Sequence, residues 1–152
     1  MSASVRPAGP SDTAALALLR RHWRHEQHGV ALHADPGFEQ RFADWFTAQL
    51  AHRSLAWVAD ADGEAVGMLL MFVHERMPDP DRDPGRWGYI GNVFVLPAHR
   101  DAGVGRLLLD AALAHADEHA YVRVVLNPSP TSVPFYERAG FGSDHQLLVR
   151  GD

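Results

Sequence analysis

The chain has 152 residues, 46% of them hydrophobic and 22% charged, with a formal net charge of −5. That length suits a single domain over residues 1–152, and the apolar share is enough for a core, which excludes a disordered chain. The acidic balance leaves no broad basic footprint, so neither nucleic acid nor an anionic membrane is expected as a partner. There is no cysteine, which excludes thiol catalysis, disulfides and Cys-ligated zinc and agrees with a reducing cytoplasm. Met1 to Arg6 lacks the apolar run of a secretion signal.

Ala3–Pro7 can form a first strand. Pro10-Ser11-Asp12 reads as a helix start with Ser11 or Asp12 as the cap, and Leu16, Leu19 and Trp23 continue it to about His25. After a loop over 28–35, Asp35-Pro36 opens a second helix whose apolar face is Phe38, Phe42, Trp45, Phe46 and Leu50. Such an aromatic stripe packs a core or walls a pocket. Residues 55–59 and 65–73 are apolar runs around Asp60-Ala61-Asp62-Gly63, and Asp-Gly between strands predicts a hairpin. The segment 76–86, with Pro78, Pro80, Pro84 and the acidic run Asp79-Pro80-Asp81-Arg82-Asp83, reads as a loop. A strand over 87–96 ends at Pro97. Val104, Leu107, Leu108, Ala111 and Ala112 mark a helix to about Glu118. Residues 121–126 form a near-continuous apolar strand of the kind found at a sheet centre. Ser132 to Ala139 makes a short helix stopped by Gly140, and 141–149 can carry one last strand.

The most informative stretch is Val93-Phe94-Val95-Leu96-Pro97-Ala98-His99-Arg100-Asp101-Ala102-Gly103-Val104-Gly105, a strand, a short loop and a helix start. Glycines there remove Cβ atoms and let N–H groups close on a ligand. The helix N-terminus adds partial positive charge, and Arg100 can add charge-assisted bonds to a phosphate. A P-loop needs Gly-Lys-Ser/Thr, but Arg106-Leu107 follow Gly105. A dinucleotide fingerprint needs a third small residue where Leu108 stands. What fits is Arg/Gln-x-x-Gly-x-Gly/Ala. Some thirty residues on come Asn127 and Pro134-Phe135-Tyr136-Glu137-Arg138-Ala139-Gly140-Phe141.

In these two elements, their order and their spacing, the chain resembles the GNAT superfamily of acyl-CoA-dependent N-acetyltransferases. The resemblance implies an α+β, three-layer fold: a mixed, mostly antiparallel sheet of about six to seven strands with about four helices. Two strands, over 87–96 and 121–127, should splay apart around the pantetheine arm of acetyl-CoA. The main chain at Phe94 and Val95 should pair with the pantetheine amides. The amides of Asp101, Ala102, Gly103, Val104 and Gly105 should take the pyrophosphate, aided by Arg100. Asn127 matches a position that often bonds the pantetheine, and Tyr136 one that often faces the thioester sulfur as general acid.

Some relatives use a carboxylate on the fourth strand as base, whereas Trp87-Gly88-Tyr89-Ile90-Gly91-Asn92-Val93-Phe94 holds none. Glu75, His74 or a relay of waters remains, with Glu75 the tentative base. The expected acceptor is a small-molecule or peptide amine; an acidic loop near the pocket favours a cationic one. A homodimer stays open. Alternatives are a non-catalytic acyl-CoA-binding or sensor module of the same fold, or a metal-dependent hydrolase built on histidines such as His115 and His119 at helical spacing. The histidines read more simply as surface residues, so no metal is expected.

Overall fold

The computed structural model describes residues 2–151. In chain order it contains β1 (Ala3–Pro7), α1 (Thr13–His28), α2 (Phe38–Ala51), β2 (Leu55–Ala61), β3 (Glu64–Glu75), β4 (Arg86–Val95), α3 (Val104–Glu118), β5 (Val124–Leu126) and α4 (Val133–Arg138). The strands form one sheet in the order β1-β2-β3-β4-β5, antiparallel except for the parallel β4–β5 pair.

Local chemistry explains the elements. Asp12 accepts the Gly9 N–H (2.8 Å) and two bonds from Arg6 (2.8 and 3.1 Å), tying β1 to the start of α1. That network holds the Asp12 carboxyl below its ordinary pKa, chiefly through Arg6. Gly29, at φ 67°, ends α1 with its N–H on the His25 carbonyl (2.9 Å), the left-handed stop that glycine permits. Asp62 and Gly63 both have positive φ (51° and 81°), the two-residue turn that matches strand twist.

Two apolar layers sandwich the sheet. One face packs Trp57, Leu69, Met71, Ile90 and Val95 against Val104, Leu108, Leu109 and Ala112 of α3. The other packs Val58, Met68, Leu70 and Phe94 against Leu16 and Leu19 of α1 and Phe42 and Phe46 of α2. The aromatic stripe of α2 is therefore mainly core. Its outlier is Trp45, 40% exposed, edge-on to Phe72 (6.3 Å), which in turn lies 6.5 Å from Tyr89.

Several expectations are corrected. The sheet has five strands among the described residues, not six to seven. Residues 141–149 form no strand; Leu147, Leu148 and Val149 are 73%, 98% and 74% exposed. A strand exists only through a ladder, and the three-residue β5 offers a short one. For the same reason β5 is an edge, not a central strand. Tyr121 instead donates its N–H to the Ala116 carbonyl (2.9 Å), closing the exit of α3. The second helix begins at Phe38 after Gly37, not at Pro36. Asp35 sits at φ 57°, its carbonyl accepting the Phe38 N–H (3.0 Å) and its carboxylate holding Arg41. In the 76–85 loop, Asp79 pairs with Arg82 (3.0 Å) and Asp83 caps the Gly85 N–H (2.9 Å). Those acidic groups shape their own turn.

Candidate active site

The parallel ladder pairs Gly88 with Val124, Tyr89 with Val125 and Ile90 with Leu126, and stops there. β4 runs on to Val95, still paired with β3 but open on the other edge. From Gly91 to Val95 this open edge is about 13 Å long at the usual rise. A bulge sits where it begins: Leu70 opposes Asn92 and Met71 opposes Ile90, leaving Gly91 as the extra residue.

The bulge reverses the phase of the strand. Before it, Gly88 faces β5, its N–H bonding the Arg123 carbonyl (3.1 Å). Beyond it, Leu96 faces β3 through its N–H to the Val66 carbonyl (2.9 Å). Alternation then turns Val93 and Val95 toward the open edge and Phe94 toward β3. The resemblance implied that main-chain groups near Phe94 and Val95 face the ligand edge. The bulge keeps Val95, withdraws Phe94 and brings in Val93.

The open edge leads into the glycine turn. A short 3-10 turn (Pro97–His99) is followed by Arg100, by Asp101 at φ 61° and by Gly103 at φ 84°, and then α3 starts. The first α3 bond runs from the Leu107 N–H to the Gly103 carbonyl (3.0 Å). The N–H groups of Val104, Gly105 and Arg106 therefore have no helical acceptor. A Cβ on Gly103 would meet nothing within 4 Å, so the space before it is open; one on Gly105 would lie 3.6 Å from the Phe135 ring. Arg100 does not point freely outward. Its Nε donates to the Val95 carbonyl (2.9 Å), its Nη2 to Glu26 of α1 (2.8 Å), and its guanidinium lies 5.4 Å from the Phe94 ring. It clamps the turn to the strand end and to α1, and leaves the Val95 N–H as the donor of that residue.

Tyr136 lies on α4, half-buried, with the rings of Phe135 and Phe141 edge-on at 5.0 and 5.8 Å. Burial pushes its phenol above the ordinary pKa of 10.0, so it is protonated at neutral pH. Asn127 follows β5 directly and is exposed. Glu75 lies elsewhere. It pairs in register with Arg86 at the far end of β4 and forms an ion pair with Arg53. Arg86 stands five positions before the bulge residue Gly91, roughly 17 Å along the strand. His74 beside it is stacked on Trp87 (4.5 Å).

Sequence reasoning passed over one residue as chemically inert for proton removal. Asn92 follows the bulge, and its Oδ1 is buried with no hydrogen-bond partner. An orphaned buried acceptor costs about 1–3 kcal/mol, so its retention at the head of an open edge points to use. Its signal in the sequence was the Gly-Asn pair itself, a bulge-permitting residue followed by an amide.

Among the described residues no group of three or more His, Asp or Glu is placed to hold a metal, and no helix is long and apolar enough to cross a membrane. His115 and His119 stack on one another at 4.0 Å.

The site is thus a parallel strand pair whose ladder stops short of a glycine turn at a helix start. Residues 15–141 match the model of the acetyltransferase (GNAT) family, and the chain belongs to that family. It is 38% identical over 66 residues, 43% of its length and 44% of the relative's, to glucosamine 6-phosphate N-acetyltransferase of Trypanosoma brucei brucei. Its alignments span about half the length of the curated relatives it matches. Among solved structures, a Trypanosoma brucei acetyltransferase superposes with a TM-score of 0.78 at 24% identity, covering 99% of both chains. A predicted acetyltransferase of Clostridium acetobutylicum solved with acetyl-CoA superposes at 0.74 with 22% identity, over 98% of this chain and 96% of that one. At these identities the superpositions establish the fold.

The residues present fit acetyl-CoA, the acyl donor of this family. Positive φ at Asp101 and Gly103, free amides at the start of α3 and the empty space before Gly103 make a cradle for an anion, at the end of an unpaired strand edge long enough for an extended amide chain.

Proposed function

We propose that the chain is a single-domain N-acetyltransferase moving an acetyl group from acetyl-CoA to the amine of a small molecule or peptide, by direct attack in a ternary complex. The observation that carries this reading is the unpaired edge of β4 from Gly91 to Val95 running into the glycine turn. Acetyl-CoA supplies an activated acyl thioester. The amides of Asp101 to Gly105 hold its pyrophosphate, with Ala102 and Val104 contributing main chain only. Val93 and Val95 pair with its amides as an added strand would, and Asn127 bonds the same arm from the end of β5.

Tyr136 donates to the departing sulfur. A phenol held protonated by burial suits that role, because it can give a proton as thiolate charge develops. Asn92, at the head of the open edge, turns its Oδ1 out to accept an N–H of the attacking amine and orient its lone pair. The ion pair of Glu75 with Arg53 and its place at the far end of β4 speak against it as base, and water takes the one proton that the neutral amine loses on becoming an amide.

Thiol release from acetyl-CoA, measured over a panel of amines, tests the activity. The acceptor of the trypanosomal relative puts amino sugars and their phosphates first on that panel, followed by polyamines and peptide N-termini. Acetyl-CoA binding without thiol release on any amine would leave the non-catalytic acyl-CoA module instead. Binding is tested at Gly103. Gly103→Glu sets a carboxylate where the pyrophosphate is to sit and should abolish acetyl-CoA binding in a calorimetric titration while circular dichroism stays native. Gly103→Ala, which carries the same positive-φ strain without the charge, should retain most of the affinity.

A further inference from the structure

A cavity of about 290 Å³ lies between the second half of α1 and the loop that joins it to α2. Val30, Ala34 and Phe38 form its apolar wall, and Arg20, Arg21 and Arg24 its charged one. The three arginines are not equivalent. Arg21 is buried and fully engaged: it bonds Glu39 twice (2.6 and 2.9 Å) and the carbonyls of Leu32 (3.0 Å), Ala34 and Asp35 (2.9 Å). It pins the loop in place and so builds the cavity. Asp35, the one carboxylate on the lining, is held by Arg41.

Arg20 and Arg24 differ. They stand one helical turn apart, on one face of α1. Among the described residues neither has a carboxylate or carbonyl partner. Arg20 is half-buried, its guanidinium 3.9 Å above the Trp23 ring. Burial lowers its proton affinity, and Arg24 adds like-charge repulsion. A partly desolvated cation beside a second cation, with no anion supplied by the fold, is unfavourable unless a ligand brings one. Two guanidinium forks on one cavity match the oxygens of a phosphate or carboxylate.

The cavity also has a position relative to the active site. Trp23 packs into the core layer that contains Phe94. Glu26, two residues past Arg24, holds Arg100, which bonds the Val95 carbonyl at the open edge of β4. The arginine pair is therefore on the α1–α2 side of the sheet, on the same helix whose Glu26 holds Arg100, and across the sheet from the layer packed by α3.

We infer that Arg20 and Arg24 form an anion subsite for the acceptor, so that the preferred substrate is an amine carrying a phosphate or carboxylate group. This rests on the proposed acetyl transfer, and it replaces the cationic acceptor suggested by the acidic loop at 79–83, where Asp79 is paired with Arg82 and Asp83 caps the Gly85 N–H.

The test reads the two side chains directly. In protein labelled at arginine Nε and saturated with CoA, titration with inorganic phosphate should shift the Arg20 and Arg24 N–H resonances saturably and leave Arg21 unmoved. The double variant Arg20→Gln/Arg24→Gln should lose all saturable phosphate binding while its affinity for CoA is unchanged. Absence of a saturable shift overturns the subsite. Saturable shifts seen in the CoA-free protein but abolished by CoA would assign the arginines to a phosphate of CoA and overturn the acceptor role.

The second arm measures specificity with glucosamine and glucosamine 6-phosphate, which differ only in the phosphate, and with amine pairs differing in a carboxylate. The preference in kcat/KM for the anionic member of an accepted pair should fall about 10-fold or more in the double variant, the worth of one charge-assisted pair. An equal fall for the neutral amine would mean general damage and reject the assignment. If no amine is acetylated by the wild type, the proposed function fails, and the phosphate titration still decides whether the anion site exists.

Discussion

Two side chains carry the separable parts of the proposed chemistry, and each allows a substitution that removes function without removing packing. Tyr136→Phe keeps the ring between Phe135 and Phe141 and deletes the hydroxyl. If that hydroxyl helps the thiolate leave, kcat should fall about 100-fold or more with little change in acetyl-CoA affinity, since a donor that acts as charge develops contributes to the transition state. The alkaline limb of the pH–rate profile should disappear with it, at a pH above the ordinary phenol value of 10.0, because burial raises the pKa. Wild-type turnover in the variant at every pH would make Tyr136 a packing residue. Asn92→Leu separates stability from function in another way. The Oδ1 has no partner to lose, so urea denaturation should show no loss of stability and a gain of up to about 1–3 kcal/mol as the orphaned acceptor is removed. Turnover should nonetheless drop, with KM for the amine raised. Full activity in this variant would show that the amide does not touch the acceptor.

At the scale of the element, the bulge in β4 is the feature on which the site depends. It occurs at Gly91, where a Cβ would come within 2.5 Å of the Phe72 ring. Glycine is therefore required by close approach as well as by the bulge itself. Phe72 is wedged between Trp45 of α2 and Tyr89 of β4, which limits its retreat. Gly91→Val should cost about 1–3 kcal/mol by overpacking, measured by urea denaturation. It should also weaken acetyl-CoA binding, because a strand without the bulge presents Phe94 and not Val95 to the open edge. Destabilisation with unchanged acetyl-CoA affinity would separate the bulge from the site. The adjoining α3 start is held differently, by Arg100 reaching the Val95 carbonyl and Glu26, so one side chain joins strand end, turn and α1.

Over the whole molecule, the layer between the sheet and α3 contains a titrating group. His115 lies edge-on to Trp57 (5.8 Å) and Tyr121 (5.7 Å), stacks on His119 and has its Nε2 3.4 Å from the Tyr121 hydroxyl. Burial, then the charge of His119, depresses its pKa below 6.5, with Glu118 opposing. The folded state thus binds this proton less readily than the unfolded chain. Its contribution is full above pH 6.5 and is lost as pH falls from there through the depressed value. The urea midpoint should decline over that window, and His115→Gln should flatten the decline. An identical pH dependence in the variant would place the acid sensitivity elsewhere.

Much of this protein was determined by short-range sequence chemistry. The Asp62-Gly63 turn, the left-handed stop at Gly140, the helix of Val104 to Glu118 and the glycine turn before it depend on backbone preferences within a few residues. They appear in the fold where the sequence put them. The paired motifs around Gly103 and Tyr136 carried the family for the same reason: a phosphate cradle is a local backbone shape. What only the tertiary structure decided involves partners distant in the chain. The bulge at Gly91 arises from register against β3, and it exchanges Phe94 for Val93 as an open-edge residue. The burial of Asn92, the ion pair of Glu75 with Arg53 and the hold of Glu26 on Arg100, 74 residues apart, belong to the packed layers. Helical spacing placed Arg20 and Arg24 on one face of α1, but their lack of an anion is a property of the space around them. A sequence lists charges, and only the fold shows which of them have already been answered.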